Sequence, residues 1–486
     1  MTDIIGIERY DETYLKVKAD PGIVMEMSDH FTFEVPGARF TPAYRNKFWD
    51  GKIRLLNTMS CLLYAGLLSY VEDFCQKRNY QIEYLSDFST EEFSLREAED
   101  FIKKIRPTMD PRDYQLDAFM HAVRERRALL LSPTASGKSF IIYLLVRYYA
   151  KKTLIIVPTT SLVSQLTSDF ADYGFNSDKH VHRVFAGQDK GTTRPVTITT
   201  WQSVYKLPKE FFDKFDVVIG DEAHLFKAKS LTSILTKLSG CRYRFGFTGT
   251  LDGTQTHRLV LEGLFGAVRK VTTTSELIEK KHLADFGIKA IVLSYPEEIK
   301  KMIARSGNYQ SEMDYIVRCE PRNRFIRNLA LSLEGNTLLL FQFVEKHGKV
   351  LYEEIQKEAG DRKVFFVHGS VDGEEREEIR RIVENESNAI IVASFGTFST
   401  GVNIKNLHSI IFASPSKSRV RNLQSIGRGL RKSDTKDAAT LYDIADDLTY
   451  KSKRNFTLTH FMERVKIYNE EKFKYRIYKV NLKVDV

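Results

Sequence analysis

The feature that most constrains this chain is an apolar run at residues 128–131 that breaks into Ser132-Pro133-Thr134-Ala135-Ser136-Gly137-Lys138-Ser139. A helix-like segment follows over 140–149. Strand, small-residue loop ending in Gly-Lys-Ser, then helix is the setting in which backbone N–H groups and a helix N-terminus hold phosphate. The segment predicts an α/β nucleotide-binding domain, with Pro133, Thr134, Ala135, Ser136 and Gly137 around the phosphates. Lys138 would neutralise the β- and γ-phosphates, and the Ser139 hydroxyl would ligate Mg2+. Ser132 stands where the general pattern has its first glycine.

The same texture spreads along the chain. Apolar runs at 128–131, 153–157, 196–199, 217–219 and 244–248 alternate with helical patterns. They return at 337–343, 363–367, 389–393, 409–413 and 439–443. Such alternation predicts parallel sheets covered on both faces, and 486 residues exceed what one core serves. The expected fold class is α/β, with two tandem parallel-sheet domains at 111–294 and 295–450, the second opening on a helical connection over 295–335. Residues 1–85 read as a small α+β domain, including a hairpin over 48–55 around Asp50-Gly51. Residues 86–110 read as a linker helix opened by the Ser94–Glu97 capping-box pattern. Residues 451–486 read as a basic, mainly helical extension with ten Lys and Arg against four Asp and Glu.

A net charge of +10 favours a polyanionic partner, although a charge run is also what a solvated face looks like. The four cysteines form no CxxC pair, which suggests neither zinc nor disulfides but reduced thiols in a cytoplasmic protein. The first residues do not read as a leader, and the apolar runs are too short to span a bilayer, so no membrane partner is expected.

An apolar strand at 217–219 runs into Asp221-Glu222-Ala223-His224. Two adjacent acids at a strand end would place Asp221 on Mg2+ and Glu222 beside the attacking water. His224 could link the site to later elements or be a hydrogen-bonded core histidine. Downstream, Gln424, Arg428 and Arg431 fall at i, i+4 and i+7, one face if helical. Planar guanidiniums suit transition-state phosphate charge, and an exposed basic face would look alike. Arg112 and Gln115 upstream could cap an adenine. Thr159-Thr160, Trp201-Gln202 and Thr400-Gly401-Val402-Asn403 sit after strands, where hydroxyls and amides suit backbone phosphates; plain helix caps share that pattern. Thr248-Gly249-Thr250 ends another strand. Trp49 is either a hairpin-packing residue or a stacking wedge.

The ordered set RDYQ, SPTASGKS, VPTT, TWQS, DEAH, TGT, FSTGVN and QSIGRGLR resembles the superfamily 2 helicases and translocases over roughly residues 107–450. The resemblance implies two RecA-like domains with ATP bound in the cleft between them, Gly401 joining the nucleotide site and Arg428 and Arg431 acting as arginine fingers. TGT in place of SAT is similar to the DNA-repair and restriction-translocase branch rather than the DEAD-box RNA helicases. The segment FWDGKIRLL at 48–56 and the basic tail further resemble the recombination and repair helicases of T-even phages. That implies an ATP-dependent DNA helicase remodelling Holliday junctions, stalled forks and R-loops, with 3′–5′ polarity and annealing activity, monomeric, and acting in a host cytoplasm. DNA, RNA within R-loops, and single-strand-binding or recombination proteins are the implied partners. The alternatives are an RNA helicase, an ATP-gated DNA-binding or annealing module without unwinding, and the motor subunit of a nuclease complex.

Overall fold

The structure, a computed structural model, describes residues 3–184, 193–225, 228–251, 255–371, 373–397, 404, 406–415, 418, 425–427 and 438–483. It divides into two compact units, Met1–Ser132 with Gly137–Val271, and Pro133–Ser136 with Thr272–Val486. Among the described residues no helix is long and apolar enough to cross a membrane.

In the first unit, a four-stranded sheet orders Leu62–Tyr64, Tyr14–Lys18, Ile4–Arg9 and Gln81–Tyr84. Ile5 and Ile7, and Leu15 and Val17, alternate into its core, as a half-buried sheet requires. The expected hairpin over 48–55 does not form. Lys52–Arg54 pairs antiparallel with Thr32–Glu34 instead, and Asp50-Gly51 is a turn whose Gly51 takes φ +80. The alternation there was real, but its strand partner lay some twenty residues upstream.

The second sheet of this unit has seven strands, all parallel. Its order is Val268–Lys270, Arg127–Leu131, Tyr243–Thr248, Val217–Gly220, Thr153–Val157, Val196–Thr200, Val181–Val184. The helix Leu95–Ile105 carries the expected capping box. It buries Ala98, with Phe101, Ile102 and Ile105 packed against the core under this sheet.

The N-terminal sheet and the seven-stranded sheet share one hydrophobic cluster, from Ile5 and Leu67 to Leu129 and Phe265. Gly66 lies so close to the helix Gln255–Phe265 that an added Cβ would stand 2.0 Å from the Glu262 carbonyl oxygen. Arg244 is fully buried. It donates to the carbonyls of Leu235, Leu238, Cys241 and Leu264, and to the Thr13 hydroxyl at 2.9 Å. Arg127 reaches the Glu12 carbonyl at 2.6 Å. These guanidiniums spend their N–H donors on backbone carbonyls at the seam, as buried cations must.

The second unit is also a seven-stranded parallel sheet, ordered Val364–Val367, Ile390–Ser394, Thr337–Phe341, Ser409–Phe412, Ala438–Asp447, Asp285–Ser294, Lys474–Asn481. The expected boundary at 294 is therefore corrected. Asp285–Ser294 pairs residue for residue with Ala438–Asp447 and sends Ile291 and Leu293 into the second core. The helices Glu297–Ser306, Tyr309–Arg318 and Glu320–Ser332 pack on that core rather than merely connecting. The tail is a 15-residue helix, Phe456–Glu470, followed by an edge strand, so it completes the sheet as well as extending it.

The close approach at Gly66 yields a test. Gly66→Ala forces backbone apart on both sides of the seam, and overpacking of this kind costs about 1–3 kcal/mol. Urea denaturation is expected to show that loss; an unchanged midpoint would refute the shared core.

Candidate nucleotide site and nucleic-acid contacts

In a parallel sheet every strand ends on the same edge. The loops after Arg127–Leu131, Val217–Gly220 and Tyr243–Thr248 therefore open side by side, since these strands are direct neighbours or one strand apart. The phosphate loop opens with Ser132, buried, its N–H donating to the Thr248 carbonyl at 2.8 Å. Ser132 does not take a positive φ; Ala135 (+68) and Gly137 (+79) do. The missing first glycine thus costs the loop nothing in backbone conformation. Gly137 caps the helix Lys138–Tyr149, and Ser136 closes the loop with a 2.7 Å bond to the Pro133 carbonyl.

Lys138 and Glu222 form an ion pair. Glu222 sits at φ +50, a left-handed conformation that a non-glycine residue adopts at a cost of about 1–3 kcal/mol. Its N–H donates to Asp221 Oδ1 at 2.9 Å. Burial, opposed by Lys138 and reinforced by Glu222, pushes the Asp221 carboxyl up to about 6. Ser139 Oγ lies 2.7 Å from the Tyr173 hydroxyl. Tyr173 follows the helix Thr160–Asp172 and was invisible to motif reading, because nothing in its own neighbourhood marks it as facing the loop. Ser139 and Asp221 offer hard oxygen donors of the kind Mg2+ takes alongside phosphate and water.

His224 Nδ1 is 2.6 Å from Thr248 Oγ1, which donates to the Thr250 carbonyl at 2.7 Å. One chain of contacts therefore joins the acidic motif to the Thr-Gly-Thr segment. Gln115 is buried. Its Oε1 accepts from the Arg112 N–H at 2.9 Å, and its Nε2 donates to the Gly137 carbonyl at 3.3 Å. Arg112 Nη1 donates to the Tyr114 hydroxyl at 2.9 Å. Gln115 thus stands beside the phosphate loop, and Arg112 is tied to it through Gln115.

Thr159 caps the helix Thr160–Asp172, while Thr160 is exposed. Gln202 Nε2 donates to the Pro158 carbonyl at 3.4 Å, tying the two loops together, and Trp201 packs against the core cluster. Trp49 is half-buried, its indole N–H donating to the Lys52 carbonyl at 2.8 Å. Thr400, Gly401, Asn403, Gln424, Arg428 and Arg431 lie outside the described residues.

Tandem RecA-like sheets, with a phosphate loop and an acidic pair on one strand-end edge, define the class as an ATP-driven motor. Family models match at residues 4–85 (DNA helicase UvsW, N-terminal), 76–253 (type III restriction enzyme, res subunit) and 321–433 (helicase conserved C-terminal domain). The ATP-dependent DNA helicase uvsW of Enterobacteria phage T4 is 35% identical over 98% of this chain and 100% of its own length. The chain belongs to the UvsW family of superfamily 2 DNA helicases. The crystal structure of T4 UvsW matches with a TM-score of 0.53 at 34% identity, covering 99% of this chain and 100% of that one. DNA 3'-5' translocase XPB2 of Sulfurisphaera tokodaii is 25% identical over 68% of this chain and 80% of its own.

The raised Asp221 carboxyl gives a stability prediction. The folded state resists ionisation, so this destabilisation is absent below the unfolded value near 4 and complete above about 6. Asp221→Asn removes it. Without nucleotide or metal, the variant is expected to be about 1–3 kcal/mol more stable than the native protein at pH 8 and equal to it near pH 4. Thermal melts across that range check the sign, and a variant less stable at pH 8 would contradict it.

Proposed function

We propose that this helicase spends ATP to remodel branched DNA: Holliday junctions, stalled forks and R-loops. The observation that carries the reading is the UvsW-type N-terminal domain sharing a core with the first motor sheet. A DNA grip on that domain and the strand-end edge thus belong to one body. Translocation 3′–5′ is part of the proposal, and the name of the archaeal relative XPB2 supports it.

In the proposed cycle, Lys138 leaves Glu222 for the β- and γ-phosphates. The released Glu222 carboxylate then orients the attacking water. Ser139 and Asp221 would hold Mg2+, which supplies charge neutralisation at the phosphates. Pro133, Thr134, Ala135, Ser136 and Gly137 wrap the phosphates, and Arg112 and Gln115 flank the base. His224, through Thr248, carries the change toward the DNA-gripping loops. Gln424, Arg428 and Arg431, with Gly401, keep the roles their motifs imply, the arginines meeting transition-state charge. Thr159, Thr160, Trp201, Gln202, Thr400 and Asn403 hold the DNA backbone, so binding is independent of sequence and weakens steeply with salt.

Steady-state ATPase on native protein and variants tests the site. Lys138→Ala is expected to lose turnover while keeping much of its DNA affinity. Arg428→Ala and Arg431→Ala should lower turnover at least about 100-fold, with ATP binding changed far less. Forked DNA should stimulate native turnover more than linear single strands of equal length or single-stranded RNA. Substantial hydrolysis by Lys138→Ala, or stronger stimulation by RNA, would overturn the assignment.

A further inference from the structure

The excursion between the strands Thr32–Glu34 and Lys52–Arg54 carries a feature that the motor does not use. Phe48 is 86% exposed, Phe40 64% and Tyr44 42%. Single exposed hydrophobics are ordinary, but three aromatics within nine residues are not. They alternate with Arg39, Arg45, Lys47 and Lys52, all exposed. Among the described residues none of these four cations is paired with a carboxylate. Asp50, the acid nearest in sequence to Arg45, Lys47 and Lys52, is taken by Arg54 at 2.5 Å, while Glu34 stands across the strand pair from Lys52. The Arg39 guanidinium lies 5.0 Å from the Phe40 ring centroid. Exposed rings among unneutralised cations match a polyanion that also presents flat π faces, which is nucleic acid.

Phe48 is held out rather than left loose. Its own N–H and that of Trp49 both donate to the Ala43 carbonyl, at 2.9 and 3.2 Å, and Lys47 N–H donates to the Tyr44 carbonyl at 3.0 Å. Thr41 caps the short helix Pro42–Arg45 beneath them. Gly51 at φ +80 lies so close that an added Cβ would be 3.0 Å from Ala38 and 3.1 Å from Tyr44, so the base of the excursion is tightly packed. Trp49, the more obvious stacking residue by type, has its indole N–H bonded to Lys52. It braces the turn, and its neighbour presents the free ring.

We propose that Phe48 stacks on a nucleobase exposed where duplex DNA branches, with Arg39, Arg45, Lys47 and Lys52 holding the adjoining phosphates. This rests on the branched-DNA reading above. A ring presented from a hydrogen-bonded backbone turn can stack on a base left uncovered where stacking is interrupted at a fork, which a continuous duplex does not offer. The recognition is therefore of structure rather than sequence.

The experiment uses the full chain without ATP and a synthetic fork bearing 2-aminopurine at the branch. Native protein should bind this fork more tightly than an unbranched duplex of the same length and change the 2-aminopurine emission. Phe48→Ala should bind the fork about 5- to 100-fold more weakly and leave the emission unchanged. Its ATPase on linear single-stranded DNA should stay within about twofold of native, and Phe48→Trp should restore fork affinity. Native preference for the fork that survives Phe48→Ala would overturn the stacking assignment alone. A native protein without any fork preference would overturn the branched-DNA reading and this proposal with it. Loss of single-strand-stimulated ATPase in Phe48→Ala, in step with fork binding, would also overturn it, by making the residue structural.

Discussion

Parallel pairing is the constraint on which the rest of this molecule depends. When every strand of a sheet runs the same way, every loop that follows a strand opens on one edge. The first seven-stranded sheet therefore collects, without any further device, the phosphate loop, Thr159-Thr160, Trp201-Gln202, Asp221-Glu222 and Thr248-Gly249-Thr250. Motifs spread over more than a hundred residues of sequence become one row. The contacts along it, Lys138 to Glu222 and His224 to Thr248, are consequences of that register.

Buried charge organises both units, in two different ways. In the first, Arg244 and Arg127 satisfy backbone carbonyls at the seam with the N-terminal sheet. In the second, two acids on the strand Ala438–Asp447 anchor helices. Asp446 takes Arg322 at 2.7 Å and the Tyr295 hydroxyl, while Asp443 takes Arg464 at 2.8 Å and the Tyr468 hydroxyl. Glu312 caps the tail helix through the N–H groups of Phe456 and Thr457. Such pairs add little net stability, yet leaving one member unpaired costs about 3–5 kcal/mol.

How much of this was legible in the sequence follows from range. The core strands of both sheets, the helix capped by Ser94 and the strand–loop–helix around Lys138 are local patterns, and they read out directly. What failed to read out depends on partners far away. The strand Lys52–Arg54 finds Thr32–Glu34, not the residues before its own turn. Asp285–Ser294 joins a strand some 150 residues later. The Tyr173 hydroxyl meets Ser139 across 34 residues, and the Arg244 seam joins residues 231 apart. Trp49 drew attention by type, whereas exposure and hydrogen bonding single out Phe48. The candidate site's placement on one strand-end edge was legible because its residues stand in motifs that directly follow strands; the contacts that support them were not.

In the proposed cycle, hydrolysis at the first strand-end edge, not ATP binding alone, drives strand separation. Stopped-flow strand displacement on a fluorescent forked DNA tests it most directly, comparing ATP with a non-hydrolysable analogue at saturating concentration. Displacement is expected with ATP and none above background with the analogue, although both bind. Equal displacement with the analogue would contradict it and make the nucleotide a gate on DNA binding.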